Sequence, residues 1–301
     1  MSKVLILLAT YNGITHIKQQ LDSLLSQTYN DFDVIARDDC SNDETLEMLK
    51  FYNIKTLESK ENLGEKGNFS FLLNYAVKNT KSEYFMFCDQ DDVWEKDKIE
   101  KTLAKMNEIE KLYAEKPILV HTDLKVVDEN LNILNESFMS YQGIDAENNK
   151  LNNLLMQNTI TGCTLMINRK LSQMSLLMPA ECIMHDWWIG LVASEFGHIE
   201  YLNQATISYR QHTGNRIGAK KFNLGYILQH VFKSALLSEN ISQAKAFLNI
   251  YRNKIDKNTI EMLEDFSTIE SKSFWHKRKI LLKYNLLKRG FVRNAGLLIK
   301  I

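Results

Sequence analysis

Three carboxylates stand within four positions, at Asp89, Asp91 and Asp92, directly after the apolar run Tyr84 to Cys88. Acids this close repel one another unless solvent or a cation separates them. A hard divalent ion with oxygen ligands relieves the repulsion, and Mg2+ or Mn2+ characteristically takes one or two carboxylates together with substrate phosphates. The alternative is an acidic, solvated turn after a strand. The apolar Tyr84-Phe85-Met86-Phe87 favours a site, because a core strand ending in clustered acids delivers them to a fixed place. Asp92 precedes Val93-Trp94 and reads as a structural or capping acid. Other polar groups follow other apolar runs: Thr10-Tyr11-Asn12, Asp38-Asp39 and Glu61-Asn62-Leu63-Gly64. A further carboxylate, Asp186, stands beside two indoles in His185-Asp186-Trp187-Trp188.

The elements that must position these groups alternate in type over the first 110 or so residues. Strand-like runs at Val4–Leu8, Asp33–Ala36, Ile54–Leu57 and Tyr84–Cys88 are separated by apolar stripes of helical period. The stripes are Ile14, Ile17, Leu21, Leu24, Leu25; then Phe69, Leu72, Leu73, Ala76; then Ile99, Leu103, Met106. That alternation predicts a parallel sheet with crossover helices, whose ligands bind beyond the carboxyl ends of the strands. Asp43 and Glu44 mark a helix start ahead of Leu46 and Leu49. Further strands are expected at Ile118–His121, in Thr161–Ile167 and at Ala205–Tyr209, with a turn at Asp128–Asn130 leading into Leu131–Leu134. Beyond about residue 220 the composition turns helical, so a boundary is expected there.

Taken in order, Thr10-Tyr11-Asn12, Gln27-Thr28, Asp38 to Asp43, Asn62-Leu63-Gly64 and Asp89-Gln90-Asp91-Asp92-Val93-Trp94 resemble the family 2 inverting glycosyltransferases of GT-A fold. The Asp-Gln-Asp-Asp-x-Trp form and Tyr209-Arg210-Gln211-His212-Thr213-Gly214-Asn215 are similar to the rhamnosyltransferase-like branch. The resemblance spans roughly residues 3 to 219. It implies an α/β mixed sheet flanked by helices over 1–220, with a nucleotide-binding half at 1–115, an acceptor half at 116–220 and a helical C-terminal extension at 221–301. The activity implied is inverting transfer of rhamnose or a hexose from dTDP-rhamnose or a UDP-sugar to a glycan acceptor in bacterial surface polysaccharide synthesis.

Carried to matching positions, the resemblance makes Asp186, at the start of a helix, the base, a role that a pKa raised by the nearby indoles suits, with an N-capping aspartate under two packed tryptophans as its alternative; it makes Asp91 the metal ligand, with Asp89 on the ribose or metal-water side. Thr10, Tyr11, Asn12, Asp39, Asn62, Lys66 and Asp89 form the nucleotide site. Asp39 would accept from the pyrimidine; helix capping is its alternative. His212 joins the metal or diphosphate set, with a structural histidine as the alternative, and Arg210 and Arg216 are phosphate candidates. Gly162, Cys163, Trp187 and Trp188 face the acceptor, with strand packing an equal reading for Gly162 and Cys163. A sugar nucleotidyltransferase would instead carry a glycine-rich basic loop after the first strand, which Thr10-Tyr11-Asn12-Gly13 lacks. A non-catalytic sugar-nucleotide binder would have lost the acids.

Zero formal net charge gives no global field for nucleic acid. Four dispersed cysteines without a C-x-x-C pair read as reduced thiols of a cytoplasmic protein. The apolar Val4–Ala9 run is too short for a signal peptide or a span. One local patch stands out. Residues 272–301 hold no acid, while Lys277, Arg278, Lys279, Lys283, Lys288, Arg289, Arg293 and Lys300 are interleaved with Phe274, Trp275, Leu281, Leu286 and Phe291. Such helices suit the inner face of an anionic membrane, where a lipid-linked glycan acceptor would reside; packing on the catalytic domain and nucleic-acid binding are the other readings, nucleic acid the least.

Overall fold

The computed structural model describes residues 2–212 and 237–301. Arg216, the 213–215 motif and the expected boundary near 220 lie outside them.

Strands β1 (Val4–Thr10), β2 (Phe32–Asp38), β3 (Lys55–Glu58) and β4 (Tyr84–Cys88) pair in parallel, in the order β3-β2-β1-β4. Helices α1 (Ile14–Leu25), α2 (Thr45–Phe51) and α3 (Gly64–Asn79) connect them. The central strands β1 and β4 are apolar almost throughout because both faces are covered, and the period of two sorts their side chains; β2 and the edge strand β3 are mixed. Leu5, Leu7, Phe85 and Phe87 pack with Phe69, Leu72, Leu73 and Ala76 of α3 on one face. Val4, Ile6, Leu8, Met86 and Cys88 pack on the other with Ile17, Leu21 and Leu24 of α1 and with Ile99, Leu103 and Met106 of α4 (Lys98–Leu112). Each fully buried aliphatic side chain contributes about 1.5–3 kcal/mol. From β1 the chain winds first toward β2 and β3 and then back to β4. The carboxyl ends of β1 and β4 therefore flank the reversal in strand order, where an α/β sheet opens a crevice.

The second half extends the sheet beyond β4 with mixed pairing. The short β8 (Met166–Asn168) runs antiparallel to β4 and to β6 (Ile118–Val127). β6 pairs in parallel with the long β9 (His198–Arg210) and antiparallel with β7 (Ile133–Asn135). The two-residue β5 (Val93–Trp94), directly after the acids, closes on the end of β9. Helices α5 (Phe138–Gln142), α6 (Leu151–Met156), α7 (Arg169–Met174) and α8 (His185–Phe196) complete this half. The strand expected over Thr161–Ile167 begins only at Met166. Its first part is a 3-10 turn, Gly162–Thr164, because Gly162 is pressed against α8: a Cβ there would lie 2.8 Å from His185 Nε2.

After residue 237 come α9 (Ser238–Tyr251), α10 (Lys257–Ser267), α11 (Phe274–Lys283) and α12 (Phe291–Lys300). They share the core of the α3 face of the sheet. Phe247 of α9 meets Trp188 of α8 edge to face and Tyr251 packs beside it, and Ile280, Leu281, Leu286 and Leu297 are buried in the same cluster. Among the described residues no helix is long and apolar enough to cross a membrane, and all four cysteines are free thiols.

Candidate active site

The acid loop is held from two sides. Gln90 exchanges a pair of 2.8 Å hydrogen bonds with the backbone of Tyr11, clamping the loop after β1 to the loop after β4. Gly13 lets that clamp close, since a Cβ there would collide with the Gln90 carboxamide. Arg210, at the end of β9, is buried; its Nε donates to the Asp91 carbonyl at 3.0 Å, and its guanidinium also reaches the Glu129 carbonyl and Gln19. The sequence placed Arg210 among phosphate partners. The structure instead spends its planar fork on protein oxygens, a buried arrangement that requires all of them.

The three acids are unequal. Asp89 and Asp91 are partly exposed; Asp92 is wholly buried. Asp89 has its carboxyl raised well above the ordinary range, first by desolvation and then by Glu65, Asp92, Asp91 and Asp186. Its strongest charged neighbours are thus all acidic. Asp91 Oδ2 lies 2.8 Å from Nε2 of His212, whose ring packs 4.9 Å from that of His16. Asp92 is not a helix cap, because the chain after it enters β5: its Oδ1 accepts from the Arg210 amide at 3.3 Å and its Oδ2 has no hydrogen-bond partner among the described residues. Beneath it, the buried ammonium of Lys98 sits 4.6 Å from the Trp94 ring centroid, with burial holding its pKa down at about 8.

Asp89, Asp92 and Cys163 each place a ligand atom within 4.8 Å of the others. Burial, Asp92 and Asp89 push the Cys163 thiol far up, so it stays protonated and is a poor partner for a hard ion. Cys163 is therefore floor beneath the acids, not an exposed acceptor wall. Gly162 is likewise buried, held against His185 and Asp186.

On the nucleotide side, Thr10 Oγ1 donates to Asp38 at 2.9 Å, and Tyr11 is 46% exposed. Asn12 adopts φ 46° and cross-bonds the loop after β2, donating from its amide to Ser41 and accepting from the amide of Asn42. Asp39, expected at the pyrimidine, serves here as a structural anchor. Its buried carboxylate accepts from Arg37 at 2.6 Å and from the amides of Leu63 and Gly64 at 2.8 and 2.7 Å, anchoring the N-terminus of α3; Asn62 reinforces this by donating to the Asp39 carbonyl. The helix-capping alternative is what the geometry contains. Lys66 is also diverted: its ammonium donates to the carbonyls of Ala180 and Cys182, tying α3 to the loop ahead of α8.

Asp186 lies in the first turn of α8, accepting from the Trp187 amide at 2.6 Å. Burial pushes its pKa up to about 7, with Glu65 adding to the rise. Gly162 lies against the Asp186 side chain and the next residue, Cys163, lies against Asp89 and Asp92, so one short turn separates this carboxylate from the acid cluster. His185 beside it is buried between Phe69 and Phe87, and desolvation keeps it neutral with a pKa of about 3. Trp187 is partly exposed and donates from Nε1 to the Leu154 carbonyl at 2.6 Å. Trp188 is a correction: successive helical side chains point different ways, and this indole enters the core against Phe247. Sequence reasoning passed over Gln90, Glu65 and Lys98. Glu65 and Lys98 follow the Asn62-Leu63-Gly64 and Val93-Trp94 motifs by a few residues, but only folding shows which way they point.

The profile of one family, described as Glycosyl transferase family 2, matches residues 5–171, more than half of the chain. Among curated proteins the chain is similar to the dTDP-rhamnosyl transferase RfbG of Shigella flexneri, 25% identical over 292 residues covering 90% of this chain and 94% of that one. It is 29% identical over 168 residues to an uncharacterized glycosyltransferase of Rickettsia typhi, covering 54% of this chain but only 49% of that protein. Among solved structures it resembles S. aureus TarS in complex with UDP-GlcNAc, with TM-score 0.56 and 17% identity over 99% of this chain and 89% of that one. It resembles to the same degree the mannosyltransferase PcManGT from Pyrobaculum calidifontis in complex with GDP-Man and Mn2+, with TM-score 0.56 and 16% identity over 99% and 79%. At such identities the structural likeness is one of fold.

Proposed function

The chain belongs to glycosyl transferase family 2, and from that premise we propose that it moves a sugar from a nucleoside diphosphate donor to a hydroxyl of a glycan acceptor, with inversion at the anomeric carbon. The observation that carries the reading is the closeness of two acid groups. Asp89 and Asp91 follow β4 at the reversal of strand order, and Asp186, at the start of α8, lies against the turn whose Cys163 sits beneath the acid cluster.

The residues fit a hard divalent cation, Mn2+ or Mg2+. Two partly exposed carboxylates lie among further acids that raise Asp89, a repulsion such an ion relieves. Asp91 and Asp89 would hold it, with His212 exchanging its bond to Asp91 for a place beside the diphosphate. When bound, the ion supplies charge neutralisation for the departing diphosphate. Asp186 accepts the proton of the acceptor hydroxyl as that oxygen bonds to the anomeric carbon and the bond to the diphosphate breaks. Its raised pKa matches that task near neutral pH. Thr10, Tyr11 and Asn12 line the nucleotide side, and Trp187 offers the acceptor a partly exposed indole.

The names of the relatives support the donor class: one is a dTDP-rhamnosyl transferase and one structure holds UDP-GlcNAc. The donor is accordingly dTDP-rhamnose or a UDP-sugar, the acceptor a lipid-linked glycan of a surface polysaccharide, and the place of work the cytoplasmic side of the membrane. A panel of nucleotide sugars, read by nucleotide release with Mn2+ or Mg2+, tests this. Release should be metal-dependent with at least one donor, and Asp91→Asn should lose most of it while keeping the wild-type circular dichroism spectrum. No release with any donor, or undiminished release by Asp91→Asn in excess chelator, would refute the reading.

A further inference from the structure

Over residues 272–301 the two faces of the terminal helices differ in character. The inner face, with Ile280, Leu281, Leu286 and Leu297, is buried in the core. On α11, Trp275, Arg278, Lys279 and Leu282 follow the i, i+3, i+4, i+7 spacing of one face and point away from that core. Trp275 is 77% exposed and Leu282 61%. Together with Leu298 of α12 they line a groove of about 520 Å³ whose polar residues are all basic: Arg278, Lys279 and Lys283. Ile299, next to it, is 75% exposed. The guanidinium of Arg278 lies over the Phe274 ring and donates to the Ile299 carbonyl at 3.3 Å, holding the ends of α11 and α12 together. Contiguous exposed indole and aliphatic groups are a cost in water that isolated surface apolar residues are not.

We propose that this face docks on an anionic lipid surface, with Trp275, Leu282 and Ile299 entering the acyl boundary and the surrounding cations on the headgroups. Charge complementarity selects that occupant. Residues 272–301 contain nine Lys and Arg and no Asp or Glu. Glu261 and Asp265 of α10 are engaged by Lys283, whereas Lys279 has no ion pair among the described residues. A soluble protein partner would have to bring its own acidic rim around an apolar ridge. An anionic bilayer presents both layers at the depth an interfacial helix needs. The inference concerns a surface separate from the acid cluster and does not rest on the transfer reading.

The test is co-sedimentation of the whole chain with vesicles of phosphatidylglycerol mixed with phosphatidylcholine, against vesicles of phosphatidylcholine alone. Binding is expected to the anionic vesicles and to fall with added salt. Lys279→Gln should weaken it about fivefold, and Trp275→Ser with Leu282→Ser should weaken it by more than about tenfold, with circular dichroism unchanged in both. Trp275 fluorescence should shift to the blue on binding. Equal binding to neutral vesicles, no binding to either, or variants that bind as the wild type would each overturn the proposal. So would a concentration-dependent dimer in sedimentation velocity that the double variant abolishes while vesicles are ignored, since a second copy would then be the occupant.

Discussion

At the scale of single residues, Asp186 carries two opposed demands. Its pKa lies at about 7 rather than the ordinary 3.8 because burial penalises the charged form, so the folded chain binds that proton more tightly than the unfolded chain does. The sign follows: the carboxyl costs little below the unfolded pKa and destabilises the fold increasingly as pH rises from 3.8 through about 7. The full span corresponds to on the order of 4 kcal/mol. Catalysis needs the charged form, so turnover should rise with pH across the same window. Asp186→Asn keeps an oxygen for the Trp187 amide and removes the charge. It should lower turnover by about 10²–10⁴-fold and raise the melting temperature at pH 8 but hardly at pH 4. Paired melting and turnover profiles check both arms. A variant that is less stable at pH 8, or that still turns over at the wild-type rate, contradicts the assignment. The same carboxylate was readable as a helix-start acid beside tryptophans; its depth was not, since burial is supplied by Gly162 and the 3-10 turn from a distant part of the chain.

At the scale of elements, legibility tracked how much of the pattern was local. β1 and β4 were visible as apolar runs bounded by polar residues, because strands buried on both faces need no partner to show their character. β5 and β8 have two and three residues and exist only because β9 and β4 pair with them. Only the second half of β9 was read as strand, since its exposed early residues, Asn203 and Gln204 among them, show no apolar alternation. Helix α8 shows the limit most clearly. Motif resemblance assigns Trp187 and Trp188 together, whereas a helix sends adjacent side chains to different neighbours. The two therefore predict different losses. Trp188→Ala should destabilise the protein by about 3–5 kcal/mol, seen as a lower urea midpoint, because its indole joins α8 to Phe247 and Tyr251 of α9. Trp187→Ala should move stability much less and raise the acceptor KM. Reversed effects would mean that the site lies on the other face of the helix.

At the scale of the whole molecule, composition suggested a catalytic region ending near residue 220 and a helical appendage, but the described helices after residue 237 are part of the same core as β1 and β4. Leu237, Ala244, Phe247 and Leu263 are buried in the cluster that also holds Leu7, Phe87 and Trp188. Further bonds tie the ends of the chain to the middle: Asn152 donates to the carbonyls of Tyr284 and Asn285, Asn240 to that of Leu155, and Arg293 to those of Gly143 and Gln142. A core shared in this way unfolds as one unit, because removing either part exposes the apolar face of the other. Residues 1–212 expressed alone should therefore be insoluble or expanded, despite containing Asp89, Asp91 and Asp186. Exposure of Trp188 and the apolar side of α8 should appear as dye binding and light scattering. The full chain should show coincident urea transitions by fluorescence and by circular dichroism. A soluble, monomeric 1–212 fragment with wild-type nucleotide binding would show instead that the terminal helices are an independent module, and that the crevice needs only the sheet and α1 to α8 to stand.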